Sequence, residues 1–226
     1  MEGIINLDKP AGLTSARAVD RVKRLLPRGI KIGHAGTLDP FATGVLLLLI
    51  GKATKACERL MDAPKQYECT LKLGSTTPTF DPESVEVPFA DSIRPPSVEQ
   101  IADALTAFTG PIMQRPPAYS AIKVGGRRAY DLTRKGAEVE LEPRQVQVYS
   151  VRLLDYSWPT LTLSIDCGRG TYIRAIARDL GEKLETGAYL TALRRTRIGS
   201  FDVKNAATLE ALAAPGQIAA SLLPVL

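Results

Sequence analysis

The sequence predicts an α+β fold built on a mixed sheet, and three observations carry that prediction. Apolar runs of strand length and apolar stripes of helical spacing both recur along the 226 residues. They follow no regular strand–helix–strand rhythm, and 18 Gly and 16 Pro punctuate them closely. With 45% hydrophobic and 23% charged residues, the chain can bury a core and lies outside the compositions of disordered, coiled-coil and collagen-like proteins. It shows no internal repeat and no linker that demands a second domain, so residues 1–226 read as one domain.

Gly3 to Leu7 reads as a short strand that stops at the turn-rich Asp8-Lys9-Pro10-Ala11-Gly12. A helix follows, capped by Thr14 or Ser15, with Ala18, Val19, Val22, Leu25 and Leu26 at helical spacing and Pro27 and Gly29 closing it. Ile30 to Pro40 is a Gly-rich segment, and Val45 to Ile50 is an apolar run that suits a strand buried on both faces. Lys52 to Met61 reads as helical, and Tyr67 to Leu73 alternates as a half-buried strand ending at Gly74. The acidic stretch from Thr76 to Pro96 is expected to be a surface excursion. Ser97 with Gln100 three residues on forms a capping-box signature for the next helix. Pro111, Pro116 and Pro117 mark irregular chain, after which Gly125-Gly126 turns toward a short basic helix from Arg127 to Lys135. Arg144 to Tyr156 and Thr160 to Cys167 read as paired strands joined across Trp158-Pro159, and Thr171 to Leu184 as a helix with Ile173, Ile176, Ala177 and Leu180 on one stripe.

Several function classes drop out. The longest apolar run, Val45 to Ile50, is far below the roughly 20 residues of a spanning helix. The amino terminus carries Glu2 where a signal peptide needs a basic region, so the chain reads as cytosolic. Cys57, Cys69 and Cys167 are odd in number and lack Cys-x-x-Cys spacing, which argues against a disulfide framework. A single histidine, His34, rules out a multi-histidine metal centre, and no phosphate-binding G-x-x-x-x-G-K-[ST] loop occurs. No metal is expected, and ATP chemistry has no visible anchor.

The net charge of +5 is unevenly spread. Arg115 to Gly136 holds Arg115, Lys123, Arg127, Arg128, Arg134 and Lys135 against Asp131 alone, whereas Ser75 to Phe108 is acidic. Basic stretches interleaved with Tyr119, Tyr130 and Tyr172 suit a polyanion with exposed bases, and they equally suit solvated helix faces.

The segment Gly33-His34-Ala35-Gly36-Thr37-Leu38-Asp39-Pro40 is built like a loop that presents one carboxylate. Its glycines allow close backbone approach, and Pro40 holds Asp39 out of helical conformation. Taken alone, an Asp-Pro in such a turn is more often a cap. A lone catalytic aspartate works as a general base, a metal ligand or a nucleophile, and a nucleophile needs a nearby cation to stay ionised in a dry pocket. Arg174, in Gly170-Thr171-Tyr172-Ile173-Arg174, is a candidate cation. Tyr67 at a strand head, Lys9 at a strand end and His34 in the loop are candidates of lower rank.

Together these segments resemble the TruB-type pseudouridine synthases, which isomerise uridine 55 in the T-arm of tRNA. The resemblance is carried by Ile4-Ile5-Asn6-Leu7-Asp8-Lys9-Pro10, by Gly33 to Leu46, and by Lys65-Gln66-Tyr67. It continues through Pro116-Pro117-Ala118-Tyr119-Ser120-Ala121-Ile122-Lys123, Gly168-Arg169-Gly170-Thr171-Tyr172-Ile173-Arg174 and Leu190-Thr191-Ala192-Leu193-Arg194-Arg195. These stand in the family's order over some nine tenths of the chain.

The resemblance implies the pseudouridine synthase catalytic fold, with a central mixed, largely antiparallel sheet flanked by helices. It implies Asp39 as catalytic nucleophile without a cofactor, attacking either ribose C1′ or uracil C6, with Arg174 paired to Asp39 and Tyr67 stacked on the flipped base and placed to take the C5 proton. A base in the T-loop is stacked, so it must be flipped out, at about a few kcal/mol. His34 then contacts the disrupted loop, Leu193 lines the pocket, and Lys9 braces the loop. Residues 114–144 resemble a thumb-like insertion over the T-arm, where Lys123, Arg127 and Arg128 grip phosphates. The implied partner is tRNA; apart from the resemblance, the chain is expected to be a monomer. Two departures stand out. Thr76-Thr77-Pro78-Thr79-Phe80-Asp81 replaces the family's Thr-Asp-Thr-x-Asp stretch, so a polar contact from that loop is expected to be missing. Only 26 residues follow Ser200, too few for a PUA-type RNA-binding domain. Two readings from other classes compete: an RNA-binding protein without catalysis, and a nucleoside hydrolase, which would normally show two working carboxylates.

Overall fold

The computed structural model describes residues 1–120, 123–124, 127–128, 139 and 141–224, with backbone alone for 123–124 and 127–128. In chain order its main elements are β1 (Gly3–Lys9), α1 (Ser15–Lys23), β2 (Ile32–Ala35), β3 (Thr43–Ile50), α2 (Cys57–Asp62), β4 (Lys65–Leu73), β5 (Ser75–Thr76) and β6 (Val87–Pro88). They continue as α3 (Val98–Thr106), β7 (Gly110–Gln114), β8 (Lys123–Val124), β9 (Arg127–Arg128), β10 (Arg144–Ser157) and β11 (Thr160–Cys167). The last are α4 (Ile173–Lys183), β12 (Ala188–Ile198), β13 (Phe201–Asp202), α5 (Leu209–Ala213) and α6 (Gln217–Ala220). The chain divides into two compact units, one of Met1–Glu68 with Leu193–Leu226, the other of Cys69–Ala192.

In the first unit β3 is the central strand. It pairs antiparallel with β1 along its whole length, from Gly3↔Ile50 to Lys9↔Gly44. Its other edge is shared: β2 runs antiparallel to Leu47–Ile50, and β12 joins parallel at Thr43 and Gly44. Successive side chains point to opposite faces, and here both faces are covered. Leu46, Leu48 and Ile50 pack with Val22 of α1 and Leu209 and Leu212 of α5, while Val45, Leu47 and Leu49 pack with Leu60 of α2 and Ile198. That is why an unbroken apolar run makes a strand at this place rather than an alternating one. α1 starts at Thr14, whose hydroxyl accepts from Arg17 N at 3.1 Å.

In the second unit the strands run in the order β4–β11–β10–β7, and the β10–β11 and β10–β7 pairs are antiparallel. Leu71, Leu73, Leu161, Leu163 and Ile165 are buried on these strands, as are Ile101 and Leu105 of α3 and Ile176 and Leu180 of α4. Ser97 and Gln100 close a complete capping box on α3. Mixed pairing in one unit, antiparallel pairing in the other and helices packed on both make the predicted α+β class correct.

The differences are local. The Gly-rich segment contains strand β2, because register against β3 outweighs the low strand propensity of Gly33. Irregular chain was expected at Pro111, yet Gly110–Gln114 pairs with Arg144–Val148 as β7. Residues 51–62 are helical in two pieces, a 3₁₀ segment Gly51–Ala56 and then α2. Arg127 and Arg128 stand opposite Val124 and Lys123 in a short antiparallel ladder, not in a helix. The remainder of the expected Arg127–Lys135 helix, and much of the expected thumb, lie outside the described residues.

Candidate active site

Asp39 lies in the connection between β2 and β3, half-buried, between the buried Leu38 and the half-buried Pro40. Five successive carbonyls around it each accept a hydrogen bond. Arg195 donates from Nη2 to Gly36 O at 3.0 Å and from Nη1 to Thr37 O at 3.3 Å. Ser15 Oγ donates to Leu38 O at 3.0 Å, and Ala42 N donates to Asp39 O at 3.2 Å. Pro40 O accepts from Gly12 N at 2.8 Å and from Lys9 Nζ at 3.2 Å. A connection without strand or helix ladders has thus found a partner for every one of these carbonyls, the requirement for burying backbone away from water.

The donors come from places the sequence separates widely. Lys9 is fully buried at the end of β1, and its ammonium also donates to Pro10 O and Leu13 O. These carbonyl partners place it as an internal brace of the loop. Ser15 opens α1 and also accepts from Leu38 N at 2.9 Å. Arg195 belongs to β12, and its Nε donates to Val45 O at 2.8 Å. Its neighbour Arg194 grips Asp8 with two parallel bonds of 3.1 and 2.7 Å, the geometry that suits guanidinium to carboxylate.

His34 sits on β2, one residue before the connection. Its Nδ1 is buried and, among the described residues, without a hydrogen-bond partner. Burial first, and then the positive charge of Arg195, hold its pKa below the usual 6.5, so the ring is neutral at physiological pH. Tyr67, 9% exposed, faces inward near the start of β4, next to Gln66, whose carbonyl accepts from Thr196 Oγ1 at 3.3 Å. Leu193 is buried as well. The structure therefore gathers Lys9, His34, Asp39, Tyr67 and Leu193 into the first unit.

Arg174 belongs to the second unit, in the first turn of α4. Its guanidinium is almost wholly buried and donates to Thr79 O at 3.1 Å and Tyr119 O at 2.8 Å. It also forms an ion pair of 3.2 Å with Asp81, the two side chains being 5% and 2% exposed. Asp81 is held in turn by Thr79 Oγ1 at 2.5 Å and Glu83 N at 3.0 Å on its Oδ1. The stretch Thr76 to Asp81 was expected to lack a polar contact. It supplies two to Arg174 instead, and its Thr77 and Asp81 are buried rather than on the surface. Gln114 steadies the start of α4 by bonding both Tyr172 N at 2.8 Å and Tyr172 O at 3.1 Å. Lys123, Arg127 and Arg128 are placed by backbone only.

Sequence reasoning missed Asp81 as the ion-pair partner of Arg174 in the second unit, and Ser15 and Arg195 as donors to the Asp39 connection in the first. The run of Thr residues around Asp81 was the available signal for a hydrogen-bonded acid. Ser15 gave none, because a hydroxyl at a helix start reads as a cap, whereas Arg195 stood in the Leu190–Arg195 motif with no role of its own. Among the described residues no cluster of metal-ligating side chains occurs, and no helix is long and apolar enough to cross a membrane.

Comparison with known proteins defines the class first. Residues 23–173 match the N-terminal domain of the TruB family pseudouridylate synthases, and residues 174–224 match the C-terminal domain of tRNA pseudouridylate synthase B. Pseudouridylate synthases are isomerases. A protein of Dehalococcoides mccartyi named tRNA pseudouridine synthase B is 43% identical over 228 residues, covering 100% of this chain and 75% of that one. One of the same name from Syntrophus aciditrophicus is 48% identical over 216 residues, covering 94% and 67%. In the crystal structure of a Cbf5–Nop10–Gar1 complex a chain 31% identical superimposes with a TM-score of 0.71, over 92% of this chain and 53% of that one. This chain thus spans about half the length of that structural relative. On these matches the chain belongs to the TruB family of pseudouridylate synthases.

Proposed function

We propose that the chain converts uridine 55 in the T-arm of tRNA to pseudouridine, with Asp39 as nucleophile, Tyr67 and Arg174 completing the catalytic set, and no cofactor. The bond from ribose C1′ to uracil N1 breaks, the base turns, C5 bonds to C1′, and the proton on C5 leaves while N1 gains one, so the atoms of the nucleotide are conserved. Attack at C1′ and addition at C6 draw on the same carboxylate. The observation that carries the reading is the fully bonded main chain around Asp39, a rigid mount that supports a fixed placement of its one carboxylate. Orientation of this kind supplies much of the rate in reactions that form a covalent intermediate. A stacked uridine must leave its loop to reach the carboxylate, and extrusion costs about a few kcal/mol. His34 and Leu193 are proposed to receive the opened loop and the base. Lys123, Arg127 and Arg128 are proposed to grip phosphates, and Lys9 to brace the loop that carries Asp39.

The test is single-turnover release of tritium from C5-labelled uridine in an unmodified tRNA transcript, by wild type and by Asp39→Asn. Release by wild type alone, with pseudouridine mapped to position 55, is the expected result. Salt-sensitive tRNA binding with no release from wild type overturns the reading and leaves an RNA-binding protein. Free uracil as the product would mark a hydrolase.

A further inference from the structure

Arg195 is 1% exposed, and the arrangement it makes differs from a packing role. An apolar side chain could fill the space beside β3 without the desolvation that a buried guanidinium entails. What the guanidinium adds is direction. Its three nitrogens donate to Val45 O at 2.8 Å, Thr37 O at 3.3 Å and Gly36 O at 3.0 Å, so one planar group holds the first strand residues of β3 and the start of the connection together. The main chain of Arg195 contributes as well. A Cβ on Gly44 would stand 2.2 Å from Arg195 O, and Gly44 has φ +102°, so β12 approaches β3 here as closely as backbone can.

Ser15 completes what Arg195 begins. Its hydroxyl bonds both Leu38 N at 2.9 Å and Leu38 O at 3.0 Å. The peptide groups 36–37 and 37–38 are thus held by Arg195, and 37–38 and 38–39 by Ser15. With Ala42 N on Asp39 O the peptide after Asp39 is held too, so the main chain is bonded on both sides of Asp39. We propose that Arg195 and Ser15 are positioning residues of the isomerisation, fixing the Asp39 carboxylate by clamping the peptide groups of Gly36 to Leu38.

The inference rests on the proposed role of Asp39, so wild type and Asp39→Asn are run in the same assay. Ser15→Ala, Arg195→Lys and Arg195→Met are compared with them for single-turnover kcat, tRNA Kd and thermal unfolding. A small displacement of a reacting group can cost on the order of a hundredfold. The expected result is a kcat about tenfold lower in Ser15→Ala and about a hundredfold lower in Arg195→Met, with Arg195→Lys between them. Kd for tRNA stays within about twofold in all three, since the clamp acts on the carboxylate and not on phosphate contacts. If Arg195→Met does not fold, Ser15→Ala and Arg195→Lys decide. Folded Ser15→Ala and Arg195→Lys with wild-type kcat overturn the proposal, as does a loss of kcat matched by an equal loss of affinity. An inactive wild type overturns the reading of Asp39 instead.

Discussion

His34 is the single histidine of the chain, so its ring protons report protonation without assignment work. Its midpoint by proton NMR is expected below 6.5, because burial and Arg195 both disfavour the imidazolium. In Arg195→Met the midpoint moves upward yet stays under 6.5, burial being the larger of the two causes. Below pH 6.5 the unfolded chain binds a proton at this site that the folded chain refuses. Stability from this site is therefore complete above pH 6.5 and falls as the pH drops through that window. Urea titrations at pH 5 and pH 7.5 check this: the pH difference in stability should shrink in His34→Gln, and an unchanged difference would assign it to other groups. Asp81 offers a second test at the same scale. Removing one partner of a buried ion pair strands the other, so Asp81→Ala is expected to lose about 3–5 kcal/mol by urea denaturation. The double variant with Arg174→Ala should lose clearly less than the two single losses combined.

At the scale of elements, helix ends and strand crossings set the tolerances. The capping box on α3 satisfies two backbone groups reciprocally, and Ser97→Ala should cost about 1 kcal/mol, read as a lower urea midpoint with an unchanged slope. Gly44→Ala is expected to be far worse, since its methyl would meet the main chain of Arg195 and its φ disfavours any side chain. Much of this level was legible beforehand. The capping box, the doubly buried β3 and the β10–β11 pair each have a local signature: spacing, an apolar run, or two alternating segments beside a turn. β2 and β7 had none, because Gly33 and Pro111 carry weak strand preference and their pairing is decided by distant partners. The same divide runs through the site. The Gly-His-Ala-Gly-Thr-Leu-Asp-Pro segment announced itself, whereas the bonds from Ser15 and Arg195 to its carbonyls join residues 23 and 158 to 159 positions apart. A pattern read along the chain holds no trace of such contacts.

At the scale of the whole molecule the net charge of +5 hides its own distribution, with basic stretches set against an acidic one. If Lys123, Arg127 and Arg128 meet phosphates as proposed, tRNA affinity should fall steeply as salt rises. Replacing all three with alanine should lower the steepness of that dependence by about two to three units of log Kd per log salt. The rate at saturating tRNA should change little, because these contacts position the RNA and do not act on the base. Unchanged salt dependence would remove the three residues from the interface.

The clamp on the Asp39 connection has a consequence for how the protein comes into being. Lys9, Ser15, Gly36 and Thr37 emerge early from the ribosome, whereas Arg195 follows more than 150 residues later. At typical elongation rates of about 5–20 residues per second, the connection waits roughly ten to thirty seconds for its last fastener. Until then its first two carbonyls lack the donor that fixes them. A nascent or truncated chain ending before β12 would carry the complete Gly33–Pro40 sequence and still lack the donor to its first two carbonyls, which arrives only once β12 has been made.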